Sequence, residues 1–124
     1  AGTEMVVVLE KVATPPNVYE YYLLATSRTG TMQREMSDIA EKGFRLIPQT
    51  IIAKEQMLGG LEIVLIMEKP PDSPTQCKYL LLATSRTSTM QKEMSQAVDE
   101  GYKVVGMASR GEHLVILEKA VGNP

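Results

Sequence analysis

Two stretches of the chain read Ala-Thr-Ser-Arg-Thr, Ala25–Thr29 and Ala83–Thr87. Each sets hydroxyl groups beside one guanidinium, a combination that can clasp a phosphate, sulfate or carboxylate. Ser27, Arg28, Thr29, Ser85, Arg86 and Thr87 are therefore the candidate ligand-binding residues. Each stretch closes an apolar run and precedes a helical pattern. The first N–H groups of a helix favour an anion at that place. A plainer assignment competes with this one: the hydroxyls cap the helix and satisfy loop backbone, and each Arg pairs with a helix Glu. Phosphate loops also carry more glycine than Gly30 alone, which Ser88 replaces in the second stretch.

Other chemistry has thinner support. His113 is the one histidine and has no counterpart in the first half, so it reads as a surface residue. Cys77 is the one cysteine, sits by a Pro-rich connector and reads as a poor nucleophile. No Ser-His-Asp set is available without His113. Glu10, Glu68 and Glu118 each precede a Lys, a pattern expected at a solvated strand edge that resists pairing. No catalytic residue, metal site or cofactor is expected, and an enzyme is the third reading. Met57 and Leu58 are candidate interaction residues, because they stand at the tip of a hairpin longer than its counterpart.

These residues are positioned by a repeat. A shift of 58 residues takes Tyr21 onto Tyr79 and Leu23–Thr29 onto Leu81–Thr87 without a mismatch. Thr31-Met32-Gln33, Glu35-Met36-Ser37 and Gly43 also recur, at Thr89-Met90-Gln91, Glu93-Met94-Ser95 and Gly101. Such identity marks duplication. Apolar runs ending in Glu-Lys occur three times, at Glu10, Glu68 and Glu118. The unit thus reads strand, helix, strand, strand, with residues 4–11 the closing strand of a unit whose start is missing. The first unit covers 19–69 and the second 77–119, and the whole of 1–124 is expected to form one domain.

Each piece has a local reason. Tyr21–Ser27 and Tyr79–Ser85 have strand length. Met32, Met36, Ile39 and Ala40 recur at helical spacing, as do Met90, Met94, Ala97 and Val98. Ser88 with Gln91 has the spacing of a capping box, and Gly30 with Gln33 is a weaker form of it. Gly43 and Gly101 suit left-handed helix ends. Arg110-Gly111 predicts a tight turn, and Pro48 an edge or a bulge. Residues 12–18 and 70–76 are Pro-rich connectors, read as ordered. One helix face cannot offset the ordering entropy of a unit, so the units should share a core. The expected fold is α+β: tandem β-α-β-β repeats forming antiparallel sheet with two helices on one face, plus an extra N-terminal strand.

The stretches Glu41–Ile47 and Glu100–Val105 resemble the segment after the helix in a bacterial family of small β-α-β-β domains of unknown function. Those domains carry a Gly-Trp-Glu-Leu-Val type sequence there. This chain has no Trp, and Phe44 or Tyr102 stands in its place. The resemblance implies the same fold and carries no activity.

Composition narrows the function classes. Of 124 residues, 44% are hydrophobic and 23% charged, and the net charge is -2. No basic field favours nucleic acid. Apolar runs are too short for membrane insertion. The start at Ala1 without Met leans towards export, although a removed tag or earlier domains would look the same. The leading expectation is a non-enzymatic module that binds a protein partner or forms a homo-oligomer. Small-anion binding at the two Thr-Ser-Arg-Thr loops is the alternative.

Overall fold

The computed structural model describes residues 5–11, 18–55, 61–71, 76–110 and 112–121. The first half runs β1 (Glu20–Thr26), α1 (Thr29–Glu41), β2 (Arg45–Leu46), β3 (Ile52–Glu55) and β4 (Leu61–Lys69). The second runs β5 (Gln76–Thr84), α2 (Thr87–Asp99), β6 (Lys103–Arg110) and β7 (Glu112–Val121). All pairings are antiparallel, and the fold is α+β.

The strands form two sheets rather than one. In sheet A the long β4 lies between β1 on one side and β2 with β3 on the other. In sheet B β7 lies between β5 and β6. The paired registers agree across the halves: Tyr21 faces Glu68, and Tyr79 faces Glu118. Pro48 does not make a bulge. It opens a 3-10 turn, Pro48–Thr50, that divides β2 from β3. Proline lacks the N–H a ladder needs, and its fixed φ suits the start of a turn. The Thr50 hydroxyl fills the gap by accepting from the Ile66 N–H at 2.9 Å.

The helices do not share one sheet face. The α1 side chains Met32, Met36, Ile39 and Ala40 are all buried. They share a core with Leu24, Ile63, Leu65 and Met67 of sheet A and with Cys77, Tyr79, Leu114 and Ile116 of sheet B. Helix α1 is thus a filling between two sheets. Period 2 divides sheet B cleanly: Leu114 and Ile116 face α1, while Val115 and Leu117 join Met90 and Ala97 of α2 on the other face. The layer order is sheet A, α1, sheet B, α2. Among the described residues, no helix or strand packs on the outer face of either end layer.

Helix ends follow the expected glycine chemistry. Gly43 has φ 98° and Gly101 φ 100°. Gly43 N–H bonds Ala40 O at 3.0 Å and Phe44 N–H reaches back to Ile39 O at 3.4 Å, closing the last turn. Gly43→Ala places a Cβ in the left-handed region, 3.4 Å from Lys69 Cε. It is expected to cost about 1–2 kcal/mol, read from thermal unfolding. The helix starts differ from the capping-box expectation. Arg28 and Arg86 are the N-caps, without a side-chain capping bond, and Ser88 lies inside α2.

Residues 5–11 form no strand. Met5–Val8 lie instead over the outer face of sheet A, beside Leu23, Thr50, Ile52, Val64 and Ile66. A sheet face offers apolar contact but no ladder partner, so the Val-rich run has nothing to pair with there. Val98 also departs from the expected helix face: it is 52% exposed, where its counterpart Ala40 is 1% exposed. The hairpin tip with Met57 and Leu58, the turn residue Gly111 and most of both Pro-rich connectors lie outside the described residues.

Candidate functional site

Among the described residues, the junction between the two halves is the most elaborate polar arrangement. It is built from Gln33, Tyr79, Glu118, Leu46 and Arg45. Strand β5 is the edge of sheet B and presents unpaired backbone groups to α1. The Gln33 side chain satisfies them as a peptide would. Its Nε2 donates to Tyr79 O at 2.6 Å, and its Oε1 accepts from Leu81 N–H at 2.7 Å. The amide is held in place by its own helix, since Nε2 also lies 3.3 Å from the Ser37 hydroxyl oxygen. Sequence reading assigned Gln33 to capping. A polar residue between Met32 and Arg34 on a helix carried no signal for this second role.

Tyr79 completes the junction. It is 3% exposed. Its hydroxyl donates to Glu118 Oε2 at 2.7 Å and accepts from Leu46 N–H at 2.8 Å. Arg45 Nη2 lies 3.9 Å from the other Glu118 oxygen. Burial pushes the Tyr79 phenol well above its usual value of 10.0, and the bond to Glu118 adds to that. The folded state therefore holds this proton more tightly than the unfolded state. The resulting stability is complete below pH 10 and is lost as pH rises beyond it. Above pH 10 the wild-type unfolding midpoint should fall more steeply than that of Tyr79→Phe in a pH series of thermal melts.

The same pieces recur without a partner at the other junction position. Tyr21 donates to Glu68 Oε2 at 2.9 Å, yet Tyr21 is 54% exposed. The bond to Glu68 raises the Tyr21 phenol above 10.0. Gln91 of α2 donates to the Ser95 hydroxyl at 3.2 Å, as Gln33 does to Ser37, but faces solvent. Glu68 and Glu118 also depart from the solvated-edge expectation. They stand on β4 and β7, the central strands of their sheets. Their Lys neighbours cover the glycine turns: Lys69 Nζ is 6.0 Å from the Phe44 ring centre and Lys119 Nζ 5.7 Å from that of Tyr102.

The sequence-based ligand candidates fall elsewhere. Ser27, Arg28, Ser85, Arg86 and Thr87 are exposed and Thr29 half-buried, in the two turns that enter the helices. Thr26 and Thr84 hydroxyls accept from the Arg28 and Arg86 N–H groups at 3.2 and 3.1 Å. These bonds tighten the turns. Among the described residues neither Arg makes an ion pair. A cleft of about 430 Å³ opens instead where α1 meets β5, lined by Gln33, Ser37, Tyr79, Leu80 and Tyr102 among others. It belongs to the junction. Cys77 is buried beside it, which removes its thiol from solvent. His113 Nδ1 lies 3.1 Å from the Ser109 hydroxyl oxygen. No group of three or more potential metal ligands exists among the described residues. None of the described helices is long and apolar enough to cross a membrane.

Comparison with known proteins gave no match to a family model, a curated protein or a solved structure.

Proposed function

We propose that this chain is a non-enzymatic protein-interaction module, working through the two end layers of its stack. The observation that carries the reading is two sets of large exposed apolar side chains on the end layers, apart from those of the Met5–Leu9 strip and of Val18, Tyr22 and Val121. Tyr19, Tyr21, Leu23 and Ile52 mark the outer side of sheet A, and Val98, Val104 and Met107 mark the outer side of the second unit. Scattered apolar residues are normal on a surface, but grouped ones rimmed by polar partners mark contact sites. The likeness to bacterial β-α-β-β domains is part of the same reading and adds no chemistry to it.

A photo-reactive amino acid at position 23 or 98, introduced in the native cell, should give protein adducts. The same group at Arg34, an exposed position on α1, which belongs to neither end layer, should give none. Adducts at Arg34 as abundant as at the two patches would sink the reading. The interaction reading also makes a statement about the helix-entry turns. Phosphate or sulfate should shift the thermal midpoint equally in the wild type and in Arg28→Ala/Arg86→Ala. A shift that the double substitution abolishes would favour anion binding instead.

A further inference from the structure

We infer that the partner is a second copy of this chain, docked head to tail so that α2 of one copy covers the outer face and β1 edge of sheet A in the next. The inference rests on the interaction reading and names its partner. It comes from one geometric fact: the chain already contains this junction once, filled, and contains both halves of it again, open. In the filled junction α1 supplies Gln33, β2 supplies Arg45 and Leu46, and sheet B supplies Tyr79, Leu81 and Glu118. The repeat places Gln91, Lys103 and Val104 on α2 and β6, and Tyr21, Leu23 and Glu68 on sheet A.

Each open piece is set as its filled counterpart is. Leu81 faces Ile116 and Leu23 faces Ile66 in the same antiparallel register. Since Leu81 N–H points away from β7 to Gln33, Leu23 N–H points away from β4, with no partner among the described residues. Tyr21 and Glu68 already hold the hydroxyl–carboxylate bond that Tyr79 and Glu118 use. Gln91 already holds its Ser95 contact. Charge agrees as well, because Lys103 stands where Arg45 does and Glu68 where Glu118 does. Docking would give Tyr21 O and Leu23 N–H the Gln91 amide, and the Tyr21 oxygen the Val104 N–H.

The exposure pattern is the second line of support. Leu46 is 6% exposed and Ala40 1%, whereas their counterparts Val104 and Val98 are 44% and 52% exposed. Val98 and Tyr19 are larger than Ala40 and Cys77, so the second junction keeps the polar pattern with a wider apolar rim. Met5–Val8 lie against part of the same face, but Val6 and Val8 remain largely in solvent. Docking displaces a strip that is itself poorly covered. Such a contact is heterologous, so it closes as a ring or extends as a chain.

The experiment is complementation of half-sites, read by analytical ultracentrifugation of the full chain. Wild-type protein should associate as its concentration rises. Leu23→Glu and Val98→Glu should each weaken this at least about tenfold, the ten-fold step being the loss of one apolar contact patch. Mixing the two variants should restore a two-chain species, because each keeps the half the other lacks. Gln91→Ala and Tyr21→Phe, which disturb folding less, should weaken association in the same direction. Removing residues 1–11 should strengthen it. Three results overturn the assignment: a monomeric wild type, variants that do not complement, or loss of association when residues 1–11 are removed. A monomeric wild type that still gives adducts to other proteins at positions 23 and 98 overturns only the second-copy partner. One that gives no adducts overturns the interaction reading too.

Discussion

Tyr79→Phe is expected to cost about 3 kcal/mol of folding stability, while Tyr21→Phe costs under about 0.5 kcal/mol. The two tyrosines occupy the same register position and make the same bond to a glutamate. They differ in what surrounds the bond. The Tyr79 oxygen is the acceptor for Leu46 N–H and the donor to a Glu118 that is itself buried. Phenylalanine leaves a buried amide and a buried carboxylate each short of a partner. A charged group without its donor costs more in a dry site than the bond contributes in water. Tyr21 is exposed and Glu68 only half-buried, so water replaces the lost bond. Chemical denaturation of both variants measures the difference. Equal losses would mean that Tyr79 is no more enclosed than Tyr21.

Met36→Ala should destabilise by about 3 kcal/mol and Met94→Ala by about 1 kcal/mol. Both residues stand at the same place in their helices. Met36 is fully buried, in the core shared by both sheets. Met94 is half-buried and packs against sheet B alone. Truncating Met36 opens a cavity between two layers that are tied together by Gln33 and Tyr79, so the walls cannot collapse into it. The exposed side of α2 lets water and neighbouring side chains fill the space that Met94 leaves. The contrast reports the layer order directly. If both helices lay on one face of one sheet, the two substitutions would cost about the same.

These contrasts also show which parts of the structure were legible in the residues. The α1 face was, because Met32, Met36, Ile39 and Ala40 follow the helical period and all are buried. The same period in α2 misled at Val98, since a pattern of residues tells which face is apolar but not whether the chain holds a layer to cover it. Glycine positions 43 and 101 were legible, because few other residues accept their backbone angles. The turns with Arg28 and Arg86 were placed correctly between strand and helix. Met5–Lys11 was not, because β-branched composition predicts a willing strand and is silent about a pairing edge. Gln33 was missed for a related reason. Its role depends on an edge 46 residues away, at Tyr79. Only the repetition of Tyr, Glu, Gln and Ser at matched places hinted that the polar residues act together.

Amide hydrogen exchange at Leu23 and Leu81 tests the claim that one junction is filled and its copy open. Leu81 N–H, bonded to the Gln33 amide, should exchange slowly at every protein concentration. Leu23 N–H should exchange rapidly in dilute protein, become protected as concentration rises, and stay unprotected in Val98→Glu at any concentration. Leu23 protection that is already complete in dilute protein, or that ignores both concentration and Val98→Glu, would contradict the account.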